Sequence, residues 1–166
     1  MEPEIHWVRA LIPDIRLALM PRPRAGDWLA DEITGWRHAG LDLVVSLLEA
    51  DEIRDLDLGD EAALCEDAGI AFCNFPIPDR QVPQSITHMG KLADELAIKL
   101  QAGQAIGIHC RAGIGRTSLV AGCVLLRMGY RLADIYPMLS KARGLKVPDT
   151  EAQVEWLGRF EKEYRP

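Results

Sequence analysis

The sequence lacks any apolar run long enough to cross a membrane, and its opening Met1-Glu2-Pro3-Glu4 is unlike the basic-then-apolar start of a secretory signal. It lacks an excess of positive charge. The 25 Asp and Glu residues outnumber the 19 Lys and Arg, and the net of −6 argues against general binding to nucleic acid or to an anionic membrane. Its four cysteines, Cys65, Cys73, Cys110 and Cys123, make no Cys-x-x-Cys pair and no zinc spacing. His6, His38 and His88 are scattered, so no metal site and no cofactor is expected. No internal repeat or low-complexity stretch is present. These absences leave one domain over residues 1–166, expected in a cytoplasmic, thiol-reducing setting and as a monomer.

What is present is an alternation of apolar runs and helical patterns. His6 to Ile12 and Ile15 to Met20 read as strands joined by a turn at Pro13-Asp14, with Trp7, Ala18 and Met20 toward a core. Asp27 is placed to cap a helix over 28–38 that buries Leu29, Ile33 and Trp36 and ends at Gly40. Leu41 to Leu48 is a buried-type strand, residues 49–60 are acidic and irregular or briefly helical, and 61–67 is a helix whose charges form a solvated face. Strand 70–75 leads through a Pro-rich loop, 76–83, to a long helix at 84–101 with Met89, Leu92, Ala93, Leu96 and Leu100 at helical spacing. Strand 105–110 and helices over 114–128, 131–143 and 150–164 complete the chain, the last with Val154, Leu157 and Phe160 inward. Strands alternating with helices imply an α/β fold, a central twisted and mainly parallel sheet flanked by helices. In such sheets ligands gather beyond the carboxyl ends of the strands, an edge that the loops at 76–83 and 110–116 can share.

The stretch His109-Cys110-Arg111-Ala112-Gly113-Ile114-Gly115-Arg116-Thr117 lies between the 105–110 strand and the following helix. A loop so placed aims backbone N–H groups and the positive end of a helix at one point, which makes an anion site. A nucleotide-binding loop would carry Lys where Arg116 stands, and would not open on a thiol. At a helix N-terminus the dipole and the loop N–H groups stabilise a thiolate. Arg116 can hold two phosphoryl oxygens at once, as Lys cannot. Gly113 and Gly115 let the backbone come close to the anion. The Thr117 hydroxyl can donate to the Cys110 sulfur and improve it as a leaving group, and His109 can fix the loop through its ring N–H groups. The candidate anion-binding set is therefore Arg111, Ala112, Gly113, Ile114, Gly115 and Arg116. The structural alternative is a buried Cys in an ordinary strand–helix turn.

The string HCRAGIGRTS resembles the His-Cys-x5-Arg-Ser/Thr signature of the cysteine-dependent protein tyrosine phosphatase superfamily. Low-molecular-weight phosphatases and arsenate reductases carry Cys-x5-Arg near the N-terminus, whereas here it lies two-thirds along the chain. The resemblance implies catalysis by Cys110 and Arg116 without metal, through a phosphocysteine, with a general-acid Asp in a loop some thirty residues upstream. Asp79, between Pro78 and Pro83, fills that place, and Pro78-Asp79-Arg80-Gln81-Val82-Pro83 is similar to the Asp loop of small dual-specificity phosphatases. The alternative for Asp79 is a turn residue bonding its own backbone. Related phosphatases use a Gln after the signature to orient water. Gln153 stands there, and Thr150-x-x-Gln153 also fits a capping box. Arg22 and Arg24 read either as a phosphate-greeting rim or as solubility charges, and Arg143 as pocket or surface. Some small members bridge the catalytic Cys to one at the end of an earlier strand, where this chain has Ser46.

The chain is shorter than the larger tyrosine phosphatase domains, so the resemblance implies a shallow pocket that admits phosphoserine and phosphothreonine as well as phosphotyrosine. A phosphorylated protein is the implied partner. Phosphoinositide members tend to carry Lys inside the loop, where this chain has Arg111, Ala112 and Ile114. A phosphoinositide or an RNA 5′-phosphate is the alternative substrate, and a non-catalytic phospho-binding module, an arsenate reductase or a sulfurtransferase the alternative class.

Overall fold

The computed structural model describes residues 2–9 and 14–164. Its sheet is built outward from β5 (Ala105–His109), a strand buried at every position. Parallel neighbours β2 (Arg16–Met20) and β3 (Leu43–Ser46) flank it. β4 (Ala71–Asn74) pairs parallel with β3, and the short β1 (His6–Trp7) runs antiparallel to β2, giving the order β1-β2-β5-β3-β4. The expected α/β architecture with a mainly parallel sheet is therefore present.

The period of two along each strand sorts side chains to two cores. Leu17, Leu19, Val45, Ile106 and Ile108 pack with the helices α4 (Ile86–Gln101), α5 (Gly115–Arg127), α6 (Leu132–Arg143) and α7 (Glu151–Tyr164). Ala18, Met20 and Val44 face α1 (Leu29–His38) and α3 (Glu61–Asp67). Helix α5 contains the weak helix formers Thr117, Val120, Gly122 and Val124, yet lies buried along almost its whole length. Burial at about 1.5–3 kcal/mol per large apolar side chain outweighs those propensity costs, which are about 1 kcal/mol for Gly122 and less for the others. The register places Met20, His109, Ser46 and Asn74 in one row. Four strands thus end together, and the loops that leave them share one edge.

Several local expectations need correction. The first strand spans only His6–Trp7, although Val8 N–H still donates to Leu17 O at 2.8 Å. The expected turn at Pro13 lies outside the described residues, and Asp14 precedes β2. Asp27 caps nothing, because Gly26–Trp28 forms a 3₁₀ turn and α1 starts one residue later without a side-chain cap. The acidic stretch after β3 holds a defined helix, α2 (Ala50–Asp55), closed by a capping box between Glu49 and Glu52. In α7, Val154 is 42% exposed, and Trp156 and Gln153 turn inward beside Leu157 and Phe160. The solvated face expected of α3 fails at Glu61, which is buried.

Candidate active site

The 110–116 loop runs from the end of β5 to the first residues of α5, and its shape follows from what holds its carbonyls. Cys110 O lies 3.1 Å from Nδ1 of His109. Arg111 O accepts from Arg22 N–H at 3.1 Å, and Ala112 O from Nη2 of Arg143 at 3.1 Å. A planar trans peptide points its C=O and the next N–H in opposite directions. Three carbonyls tied outward therefore turn the N–H groups of Arg111, Ala112 and Gly113 inward. Gly113 has φ of +74°, and a Cβ there would sit 2.4 Å from Met20 O, so this position needs glycine for both conformation and space.

The inward side is a pocket of about 180 Å³ lined by Cys110, Arg116 and Asp79 together with Arg80, Asp149 and Gln153. Arg111, Ala112, Ile114 and Gly115 complete its lining. Thr117 Oγ1 donates to Cys110 Sγ at 3.0 Å. Burial pushes the Cys65 thiol up to about 12 and raises those of Cys73 and Cys123. None of those three lines this pocket.

Arg116 is 1% exposed and forked onto Glu52, with Nη1 to Oε1 at 2.7 Å and Nη2 to Oε2 at 3.0 Å. Nη1 also donates to Ile77 O at 2.8 Å, and Nη2 to Asp79 Oδ1 at 3.0 Å. Burial works against the guanidinium charge, but the hydrogen bond to Glu52 and the charges of Cys110, Glu52 and Asp79 outweigh it, and the pKa is raised. Burial likewise works against the Glu52 charge. The bonds from Arg116, Glu49 N–H and Arg111 prevail and hold the carboxyl below its ordinary range. Arg111 Nε reaches Glu52 Oε2 at 3.3 Å.

His109 lies on the α1/α3 side of the sheet, its ring 6.1 Å from that of Trp36 and its Nε2 2.5 Å from Glu61 Oε1. A carbonyl only accepts, so Nδ1 carries the proton given to Cys110 O, and Nε2 shares another with the Glu61 carboxyl. Glu61 thereby fixes the ring that fixes the loop.

The geometry brings Cys110, Arg116, Thr117, His109 and Asp79 into one constellation. It gives the less settled residues definite places. Gln153 is fully buried, donates Nε2 to Gln81 O at 3.2 Å, and leaves Oε1 without a partner at the pocket wall. Its backbone N–H takes the Thr150 hydroxyl at 3.2 Å, so only half of the capping box forms. Arg143 neither lines the pocket nor faces water alone, but braces Ala112 from behind. Arg22 meets the loop through its backbone, Arg24 pairs with Glu32 at 2.9 Å, and neither lines the pocket. Three acids in the arrangement escape sequence reasoning: Glu52, Glu61 and Asp149. For Glu52 a signal existed, since Glu49-x-x-Glu52 directly after a strand end is a helix start on the ligand edge.

This site can hold a tetrahedral anion between the inward N–H groups and Arg116, with a sulfur nucleophile beneath it and a carboxyl at its mouth. A family model described as "Tc-R-P: Polymorphic toxin system, DSP-PTPase phosphatase" matches residues 18–130. Cyclin-dependent kinase inhibitor 3 of Sus scrofa is 34% identical over 94 residues, 55% of this chain and 44% of that protein. The chain thus spans less than half the length of that curated relative. Among solved structures, kinase associated phosphatase with its catalytic-site cysteine replaced by serine superimposes with a TM-score of 0.88 at 21% identity, covering 99% of this chain and 97% of the other. Tk-PTP in its active form gives 0.77 at 24% identity, covering 98% and 99%.

Proposed function

The chain belongs to the DSP-PTPase phosphatase family, and on that premise we propose that it is a metal-independent protein phosphatase acting on phosphotyrosine and on phosphoserine and phosphothreonine. The reading covers residues 1–166 as a single phosphatase domain. The observation that carries it is the convergence of a thiol, a buried guanidinium and a half-exposed carboxyl on one small pocket.

The entering phosphoryl group docks on the N–H groups of 111–116 and takes over the Nη2 N–H of Arg116 that donates to Asp79. Asp79 is then released toward the leaving oxygen. Cys110 Sγ attacks phosphorus in line, forming the S–P bond as the P–O bond to the substrate breaks. Asp79 gives its proton to that departing oxygen. In the second half Asp79 takes a proton from water, whose oxygen attacks phosphorus and expels the Cys110 thiolate, with the Thr117 hydroxyl bonded to the sulfur. Glu52 holds Arg116 in place, and Glu61 with His109 holds the loop, without touching the reacting atoms.

The test is a panel of phosphopeptides, phosphoinositides, an RNA 5′-phosphate and an aryl phosphate, assayed with EDTA present and with vanadate as inhibitor. Phosphopeptide turnover that survives EDTA and stops with vanadate is the expected result. Turnover that disappears with chelation and returns with added metal would overturn the mechanism. Turnover confined to phosphoinositides, or to an RNA 5′-phosphate, would overturn the substrate class.

A further inference from the structure

The charges around the pocket mouth are arranged in an unusual way for a site that binds an anion. Each lining arginine already has a carboxylate. Arg116 has Glu52 and Asp79, Arg111 has Glu52, and Arg80 has Asp149 at 3.4 Å. Once Arg116 and the loop N–H groups have taken one phosphate, no lining cation is left without an acid among the described residues.

Asp149 stands at the centre of this arrangement. It lies in the connection between α6 and α7, and its side chain is 37% exposed. A Cβ on Gly115 would sit 2.4 Å from Asp149 Oδ1 and 2.8 Å from Gln153 Oε1. The carboxylate is therefore seated directly on the first residue of α5, beside the anion cradle rather than out in solvent. The buried Gln153 Oε1 next to it has no partner, so two acceptor oxygens face the same part of the pocket. A second depression continues from Asp149 along the surface and carries Glu151 and Glu155 against the single ammonium of Lys146. A substrate chain leaving the pocket on this side meets acceptors and negative charge.

We infer that Asp149 is a specificity-determining residue, and that its carboxylate selects a singly phosphorylated residue with a neutral or cationic neighbour and rejects one with a second phosphate close by. The inference rests on the protein phosphatase reading and deepens it. The physical cause is twofold. A second phosphate carries about −1.5 to −2 charges and is repelled by Asp149 across a partly desolvated gap. Of the exposed lining cations, Arg80, 67% exposed, is engaged by the same Asp149, and Arg111, 47% exposed, by Glu52. A cationic neighbour instead finds Asp149 and the acidic groove beyond it.

Three phosphotyrosine peptides test this, identical except for Ser, phosphoserine or Arg two positions from the phosphotyrosine. The wild-type kcat/KM is expected to fall in the order Arg, Ser, phosphoserine, with the last about tenfold below Ser at low salt and less at high salt. Asp149→Asn should raise the ratio of kcat/KM for the phosphoserine peptide to that for the Ser peptide about tenfold or more, whatever it does to the absolute rates. Asp149→Ser should repeat the result, and adding Arg80→Gln should take the gain away. Equal wild-type rates on the Ser and phosphoserine peptides, or a ratio that Asp149→Asn leaves unchanged, would overturn the inference while leaving the phosphatase reading standing. Hydrolysis of nitrophenyl phosphate with no turnover of any peptide would overturn that reading, and the inference with it.

Discussion

The loop that cradles the anion and the acids that surround it are built in opposite ways. The cradle is contiguous: Cys110 through Thr117 supply thiol, N–H groups, guanidinium and hydroxyl from eight successive residues. The acids come from four separate places, with Glu52 on α2, Glu61 on α3, Asp79 after β4 and Asp149 before α7. Chemistry that needs sub-ångström placement is kept within one strand–loop–helix turn. Charge balance and orientation, which act through hydrogen bonds and over longer distances, are collected from across the sheet edge.

The contrast can be broken most severely from the contiguous side. Cys110→Ser is expected to lower turnover by about 10⁴–10⁶-fold, as when a covalent nucleophile is removed elsewhere. It should leave vanadate or phosphate binding within a few-fold by calorimetry, because the N–H groups and Arg116 are untouched. Appreciable residual turnover would remove Cys110 from the covalent role.

Among the dispersed acids, Asp79 is expected to matter most. Asp79→Asn should slow phosphotyrosine and phosphoserine peptides by about 10²–10⁴-fold, the usual contribution of a general acid. Nitrophenyl phosphate, whose leaving group departs without a proton, should slow far less. Equal losses on all substrates would make Asp79 a structural residue.

Glu52 separates positioning from chemistry. Glu52→Ala leaves a buried guanidinium with its main partner gone, which costs about 3–5 kcal/mol. At about 2–4 °C per kcal/mol for a chain of this size, the thermal midpoint should drop by roughly 6–20 °C. The pH sign follows from the lowered carboxyl of Glu52. Its contribution is complete above the ordinary carboxylate range and is lost as pH falls through the folded value. Wild type and Glu52→Gln should therefore differ most in stability near neutrality and converge in acid. A gap that is constant with pH would show that the Glu52 charge is not what stabilises Arg116.

The smallest effect belongs far from the edge. Ser85 caps α4 by accepting from His88 N–H at 3.1 Å. Ser85→Ala should cost about 1 kcal/mol in denaturant melts and leave kcat/KM unchanged. A change in kcat/KM would mean that α4 is coupled to the site.

The same division explains what the sequence makes legible. The turn around Cys110 can be read because strand run, glycines, thiol and helix are adjacent. Asp79 can be read because two prolines frame it just after a strand. Glu61 cannot, since an acidic helix start looks solvated until His109, 48 residues away, is folded against it. Asp149 is hidden in the same way, its seat on Gly115 existing only once α7 has packed on α5. Val154 misleads in the other direction: its spacing of three from Leu157 and six from Phe160 suits the core, but the inward stripe of α7 runs through Gln153, Trp156, Leu157 and Phe160. Helical spacing gives a stripe, and only the neighbouring surface decides which of two adjacent stripes is covered.

Chain segments without regular secondary structure ordinarily open with little free energy and exchange their amide hydrogens quickly. The 110–113 segment is irregular, yet its carbonyls are tied to a buried ring, to the main chain leaving β2 and to the end of α6. Met20 O lies so close to Gly113 that the two stretches of main chain are packed against one another with no room for a Cβ between them. Freeing those carbonyls means separating three elements at once, so the loop is held in shape although its inward N–H groups are left to the pocket. The inward aim of the N–H groups is thereby set by the fold itself rather than by whatever the pocket receives.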